Sequence, residues 1–516
     1  MPACATQNTL ADQSPISNLF LPVPDTDFRE FLEEVENLGR FAPTIIEAIE
    51  KDLDAHARKK KQLREEDRKF LEGQTADFPE FDNMDEEGVA GELRLSTGRP
   101  RMPAYSVYIF LMIRGFLGSL TSKPARRFML ESMTLYNLLQ SWGMKMPGAT
   151  TILENVNAVS YATRELIFDK QVENILGEKL DDFKRLTIDS TSVSANTCWP
   201  TDSKILTTLL ERIDGVGEKF HIFGLKDFCK GHLPRWLREM EKLNFQICLA
   251  LGKANSKGKR KKLYRKLLKR GQQALKALNK EVCRLEQDLR LDTFLPSRRR
   301  ILERMLDQLH KDLVDVDKVL EYTEGRVFLE KKYKSTEKVL SLSDGSAAYI
   351  QKGGRDPVIG YKPQLVRSRN GFVTSLLVPE GNASDSVKLV PAIADSIERT
   401  GVVAEWVSTD DGYSSAKGRN ELLELGVEHV SISGAKGKKL TDPEDWQSEP
   451  YQEERRSRSA VESLMFTIKH GFEFGELGRR GIDAAREELL EKVLAYNCCR
   501  SILLKKRRQE ELCQAA

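Results

Sequence analysis

Apolar residues recur every three or four positions over much of the chain, the spacing typical of helices that bury one face. This spacing predicts helices over residues 27–75, 102–175 and 205–335 and a final helix over 483–508. Within 205–335, two heptad-patterned runs flank Leu295-Pro296-Ser297. The sequence therefore predicts an antiparallel helical hairpin there.

Short runs of β-branched and apolar residues predict strands between these helical parts. The runs cover residues 184–191, 339–342, 357–366, 371–378 and 402–413, the last closed by the turn residues Asp411-Gly412. Asn370-Gly371 predicts a hairpin turn before the fourth run. Because a helix is predicted over 387–400, strands and helices alternate, and we expect a mixed α/β domain with a large helical insertion.

A chain of 516 residues exceeds what one hydrophobic core usually serves, so several domains are expected. Residues 1–26 are predicted to be a loose tail, and the acidic segment 78–98 a linker. We expect an N-terminal all-α region and linker over 1–98, a helical module over 99–180, a catalytic domain over 181–204 and 336–508, and a helical insertion over 205–335.

Composition excludes some classes of protein. The formal charge of +3 is nearly balanced, so only local charge indicates partners. The eight cysteines form no Cys-x2-Cys pair, so no zinc site is expected, and Cys498-Cys499 are predicted to be buried thiols. No signal-peptide pattern opens the chain, and the longest apolar stretch, Tyr105 to Leu120, is interrupted by Arg114. We therefore expect a cytoplasmic protein without a membrane partner.

Three acidic residues stand where a sheet-edge site would need them. Asp189 and Asp410 end two predicted strands, and Glu462 lies on a later predicted helix. Three carboxylates meeting at one sheet edge could bind two hard divalent ions and leave room for phosphate oxygens.

The segment 455–469 reads as one helix with two distinct faces. At about 100° per residue, four of its charged residues fall within an arc of about 60°. These are Arg455, Arg458, Glu462 and Lys469, and Val461, Leu464, Met465 and Ile468 fall on the side that would face a core. A carboxylate among cations suits a metal next to phosphate. The alternative is an amphipathic helix whose charged face is only solvated.

At these residues the chain resembles the insertion-sequence transposases of the Asp-Asp-Glu (DDE) class. The resemblance rests on ordered blocks over about the C-terminal two-thirds of the chain: Leu186 to Asp202, Leu340 to Asp385, Ser408 to Tyr413, and the Glu462 helix. Arg458, Glu462 and Lys469 match the family signature Tyr-x2-Arg-x3-Glu-x6-Lys. Arg455 stands where the signature has tyrosine.

The resemblance implies a ribonuclease-H-like catalytic domain that cleaves and joins DNA. Asp189, Asp410 and Glu462 would be the catalytic metal ligands, for Mg2+ or, as a substitute, Mn2+. Arg458 and Lys469, with Arg455 beside them, would hold DNA phosphates. The expected partners are double-stranded DNA, as element ends and target, and a second copy of the chain in a dimer on DNA. The expected location is the prokaryotic cytoplasm, at the nucleoid.

Residues 253–280 carry twelve Lys or Arg and no Asp or Glu. A run of this kind can bind DNA phosphates, and the alternative is a solvated face. The candidates for contact with DNA are Lys259, Arg260, Lys261, Lys262, Arg265 and Lys266. The short helices within 102–175 fit a DNA-binding module, or else a bundle that only packs against the catalytic domain.

Neighbouring residues need separate assignment. In the family motif the acid stands three residues before tyrosine, which favours Asp410 over Asp411. Asp344 and Asp385 are predicted to be turn or capping residues, and Trp199 and Trp406 to be core residues. Two other classes of function stay open: a DNA-binding or scaffold protein that has lost catalysis, and a nuclease of the same fold that does not transpose.

Overall fold

The computed structural model describes residues 25–77, 101–225, 233–250, 256–352 and 356–515. The predicted linker and nearly all of the predicted tail lie outside these residues. The chain divides into two compact units. The sheet unit comprises residues 1–56, 100–196 and 350–516, and the helical unit comprises 57–99 and 197–349.

The described part before the first strand is all helical, as predicted. Pro43 separates the first two helices, since proline cannot supply the N–H that a continuous helix needs. The helices are α1 (Asp25–Phe41), α2 (Thr44–Asp77), α3 (Ala104–Leu117), α4 (Lys123–Glu131), α5 (Met133–Ser141), α6 (Ala149–Ala158) and α7 (Tyr161–Gly177).

Helix α3, within the longest apolar stretch, is a buried core helix. It packs against the C-terminal helix α18 (Ile482–Ala515), which α7 also contacts. A Cβ on Gly115 would lie 2.1 Å from the carbonyl oxygen of Glu491, so only glycine allows these backbones to come so close. None of the described helices has the length and apolar character needed to span a bilayer. Two helices of the predicted DNA-binding module are thus packed into the sheet unit, and DNA binding by this module stays a prediction.

A five-stranded mixed sheet forms the centre of the sheet unit. Its order is β6-β5-β1-β7-β8, with β1 parallel to β7 and antiparallel to β5. A second sheet has the order β2-β4-β3. The strands are β1 (Arg185–Ser190), β2 (Val193–Ser194), β3 (Ala348–Ile350), β4 (Val358–Tyr361), β5 (Gln364–Ser368), β6 (Val373–Leu377), β7 (Trp406–Thr409) and β8 (His429–Ile432).

Most of the predicted strands are present. The Asn370-Gly371 turn joins β5 and β6, with Gly371 at φ 97°. The predicted run 357–366 divides into two strands at Lys362-Pro363, since proline cannot donate to a ladder. The strand predicted over 339–342 is wrong, because this apolar segment has no strand structure and Val339 and Leu342 pack beside the helical core.

The helices after the sheet complete the sheet unit. The predicted helix over 387–400 is confirmed as α12 (Asp385–Thr400), which packs on β5, β6 and β1. The later helices are α13 (Ala416–Glu424), α14 (Ala435–Leu440), α15 (Pro443–Gln447), α16 (Glu449–Ser457) and α17 (Ala460–Gly471), followed by α18.

The helical unit confirms the helices predicted between residues 205 and 335. Helices α8 (Asp202–Phe220), α9 (Leu233–Leu249), α10 (Lys257–Asp288) and α11 (Pro296–Phe328) share one apolar core. Helices α10 and α11 pack on each other. The ammonium of Lys257, at the start of α10, lies 2.9 Å from the carboxylate of Glu330, just past the end of α11. The two helices are therefore antiparallel.

Candidate active site

Two of the candidate carboxylates lie at one edge of the sheet because their strands are parallel neighbours. Asp189 is the penultimate residue of β1, and Asp410 directly follows β7. Glu462 is in the first turn of α17, which packs against β1. All three line one pocket of about 610 Å³. Its other lining residues are Ser190, Thr191, Lys352, Arg458, Met465, Phe466, Lys469 and His470.

The pocket is unfavourable for the charged form of Asp410. Burial and the nearby carboxylate of Asp189 raise the pKa of Asp410. A hydrogen bond that the Gly412 N–H donates to Asp410 Oδ1, 2.9 Å long, lowers this pKa and partly offsets the rise. Two carboxylates that repel one another gain from a cation between them, and hard divalent cations prefer oxygen ligands. The donor chemistry therefore fits Mg2+.

Asp411, next in the chain, has a different task. Its Oδ1 accepts hydrogen bonds from the backbone N–H groups of Lys436 and Gly437, at 2.9 and 3.0 Å. These groups lie in the first turn of α14, where N–H groups lack helical partners. Asp411 therefore stabilises the start of α14, and it does not line the pocket.

Lys352 is a pocket residue that the sequence did not single out. Its ammonium donates to Asp189 Oδ1 at 3.0 Å, to the Ser190 hydroxyl at 3.1 Å and to the Ser190 carbonyl oxygen. The residue lies inside the matched block Leu340 to Asp385, but no pattern in that block marks it. Its contact with Asp189 spans 163 positions of the chain, so local sequence carries no signal for it.

Glu462 lines the same pocket as the two aspartates but is more exposed to solvent than Asp189. Its side chain is 70% exposed, and its carboxylate lies 3.8 Å from the guanidinium of Arg458. Within the described ranges, no three Asp, Glu, His or Cys side chains are grouped closely enough to hold one metal ion. The aspartates and Glu462 thus lie around one cavity without forming a closed three-ligand set.

The expected continuous helix over 455–469 is wrong. Helix α16 ends at Ser457 and α17 begins at Ala460. Arg455 therefore lies on the earlier helix, where its guanidinium stacks 3.9 Å from the centre of the Trp446 ring, and it does not line the pocket. Val461, Leu464 and Ile468 are buried as predicted, whereas Met465 is only partly buried and lines the pocket.

Two of the three cations predicted to hold phosphate, Arg458 and Lys469, line the pocket. Arg458 is one-quarter exposed beside Glu462. Lys469, two turns after Glu462 on α17, donates to the Ser192 carbonyl oxygen at 3.0 Å. With Lys352 they place positive charge around the carboxylates, an arrangement suited to a phosphodiester.

In the helical unit, the basic candidates on α10 divide into two groups. Lys259, Lys262, Arg265 and Lys266 are exposed. Arg260 and Lys261 are partly buried, and Lys261 lies 3.4 Å from Glu330. The exposed group presents a cationic face on one helix, and DNA binding by all six residues stays a prediction.

The acidic and tryptophan residues set apart from the site in the sequence do not line the pocket. Asp385 accepts from the Lys362 ammonium at 2.8 Å and from the Gln364 amide at 2.9 Å. Asp344 begins a turn, as predicted, in which its carbonyl oxygen accepts from the Ala347 N–H at 3.2 Å. Trp406 is half-buried and stacks on His429. The prediction of a core position for Trp199 is wrong, since the residue is 53% exposed.

Comparison with known proteins identifies part of the chain. Residues 337–498 match the family model of the transposase DDE domain. The match confirms the resemblance to DDE-class transposases over about a third of the chain, a segment that includes Asp410 and Glu462. No curated protein and no solved structure matches.

Proposed function

We propose that the chain is a transposase that binds the inverted-repeat ends of a mobile DNA element and catalyses metal-dependent strand cleavage and transfer to target DNA. The observation that carries the proposal is the pocket shared by Asp189, Asp410 and Glu462. Two of these residues lie in the segment that matches the transposase DDE domain. The order of strand, helical insertion, hairpin, helix, strand and helix supports a ribonuclease-H-like catalytic domain.

In this function the carboxylates have one task and the cations another. Asp189 and Asp410 would hold Mg2+, or Mn2+ in its place, and Glu462 would complete the ligand set. Bound divalent ions supply charge stabilisation to the attacking and leaving oxygens of an in-line phosphoryl transfer. Arg458 and Lys469 orient the phosphodiester, and arginine is well suited to bidentate contact with phosphate.

The proposal also includes partners and location. The partners are duplex DNA, as element ends and target, and a second copy of the chain in a dimer on DNA. The exposed cations of α10 would neutralise further phosphates away from the pocket. The protein would act at the nucleoid of a prokaryotic cytoplasm.

The test replaces Glu462 with glutamine. Glu462→Gln keeps the size of the side chain but removes a charge and weakens the oxygen ligand. Mg2+-dependent cleavage of an end-containing duplex should therefore collapse, while binding measured on the same DNA persists. Joining of cleaved ends to target DNA separates a transposase from a nuclease of the same fold.

The matched control is Glu453→Gln. Glu453 is 59% exposed and lies 3.5 Å from Arg369, a setting close to that of Glu462 and Arg458, but it is outside the pocket. The control should cleave like the unmodified protein. Cleavage by Glu462→Gln at the unmodified rate would remove Glu462 from the site, and joint loss of binding and cleavage in a folded variant would contradict the division of roles.

A further inference from the structure

One face of α17 carries an aromatic pair beside the carboxylates. Phe466 is 66% exposed and lines the pocket. The His470 ring lies against it, with ring centroids 4.3 Å apart and planes inclined by 46°. Val461, Leu464 and Ile468, on the other side of the helix, are buried and already hold it in place.

An exposed phenylalanine alone is ordinary, because folded proteins leave single apolar side chains on the surface. The position of Phe466 is more informative. Glu462 and Phe466 are four residues apart, so they project from one helix face about 5–6 Å apart. The partly buried Met465 and the His470 ring extend this apolar surface within the same pocket. Apolar and aromatic surface thus adjoins the carboxylates and the cations Lys352, Arg458 and Lys469 in one cavity.

We propose that Phe466, backed by His470, is a stacking platform for a nucleobase of the DNA strand whose phosphate lies at Asp189 and Asp410. This inference rests on the proposed function, since it takes the occupant of the pocket to be DNA. The cations supply charge complementary to the backbone, and the aromatic face accepts any base because every base has a π-face. Because Phe466 lines the same pocket as the two aspartates, the base belongs to a nucleotide near that phosphate. The base it takes is one that has left the duplex stack.

A binding cycle tests the platform without cleavage. The probes are a labelled duplex with a single-stranded thymidine overhang and the same duplex with an abasic overhang, titrated at low salt in EDTA. Phe466→Ala should bind the thymidine probe about tenfold more weakly, a loss within the range for one stacked base. The unmodified protein should lose about the same factor on the abasic probe. Phe466→Ala should lose little more on that probe, because the two changes remove the same contact.

Two further variants separate stacking from other effects. Phe245, on α9 in the helical unit, is 64% exposed and thus matches Phe466 in residue type and exposure. Phe245→Ala should bind both probes like the unmodified protein. Phe466→Trp should keep the base-dependent affinity, and thermal unfolding should show that Phe466→Ala is folded, as expected for an exposed position.

Each outcome bears on the inference. Unchanged binding of the thymidine probe by Phe466→Ala would overturn it, as would equal losses on both probes, since the side chain would then act without the base. Binding of neither probe by the unmodified protein would overturn both this inference and the proposed function. A non-additive cycle in a protein that never cleaves DNA would support the platform and reject the transposase activity.

Discussion

Glu491 lies at the centre of a buried ionic cluster that joins three parts of the sheet unit. Its carboxylate accepts from Arg114 of α3 at 2.7 and 2.5 Å, from Arg164 of α7 at 2.8 Å and from Arg479, before α18, at 2.9 Å. Its side chain is 1% exposed, and Arg164 is fully buried. We predict that Glu491→Gln destabilises the protein, because the change removes the charge on which these guanidinium groups converge.

Two estimates of the size of this effect agree. Removing one partner of a buried ion pair costs about 3–5 kcal/mol, since the other charge stays buried without compensation. Burial by itself would raise the pKa of Glu491, but Arg114, Arg479 and Arg164 outweigh it and lower the pKa from 4.5 to about 2. At about 1.36 kcal/mol per pKa unit, a difference of this size contributes about 3 kcal/mol to folding.

The lowered pKa of Glu491 also sets the pH range over which this carboxylate stabilises the folded protein. A carboxyl group with a lowered pKa in the folded state contributes its full stabilisation above its unfolded pKa of 4.5. That contribution is lost as the pH falls from 4.5 toward 2. The difference in unfolding free energy between the unmodified protein and Glu491→Gln should therefore be largest near neutral pH and shrink across this acidic range.

The free energy of unfolding is measured in urea by hydrogen exchange at the backbone amides of α3 and α18. These helices belong to the sheet unit, so the measurement reports on that unit alone. Glu33→Gln is the control, because Glu33 is an exposed partner of Arg29 and such pairs contribute at most about 1 kcal/mol. A loss below about 1 kcal/mol for Glu491→Gln, or a difference independent of pH, would refute the reasoning.

Three other predictions concern the pocket, the basic helix and the thiols. Lys352→Met should raise the affinity for Mn2+ in the absence of DNA about tenfold, because the ammonium bound to Asp189 no longer competes; a charge-assisted hydrogen bond contributes about 1.5–3 kcal/mol. Spin-resonance titration measures this, with the 85%-exposed Lys417→Met as control, and an unchanged affinity would contradict it. Replacement of Lys259, Lys262, Arg265 and Lys266 by glutamine should flatten the slope of log K for DNA binding against log salt. The change is up to about 3.6, at about 0.9 for each lost phosphate contact. Glutamine at four exposed cations of α11 should leave the slope unchanged: Arg298, Arg304, Lys311 and Lys318. Burial raises the pKa of the Cys498 thiol, so alkylation followed by mass spectrometry should label exposed Cys513 in the native protein and Cys498 only after unfolding; equal labelling would show that α18 opens readily.

The sequence by itself determined the features that depend on neighbours close along the chain. Periodic leucines predicted α10 and α11, Asn-Gly predicted the β5–β6 turn, and the helix predicted over 387–400 is present as α12. Such patterns suffice because helix faces and tight turns are decided within a few residues. The same local patterns wrongly predicted one helix in place of α16 and α17. The spacing of the charged residues continues across the break at Arg458 and Ser459, so it gives no sign of that break.

Only the tertiary structure decided which distant residues meet. Asp189 and Asp410 are brought to one edge by parallel pairing of strands far apart in sequence. The ammonium on Asp189 comes from Lys352, and the exposed ring beside Glu462 is Phe466. The short apolar run 339–342 lies beside helices instead of forming a strand, because its surroundings come from the four-helix core. Propensity ranks local conformations, but packing and charge between remote segments select the partners that build the site.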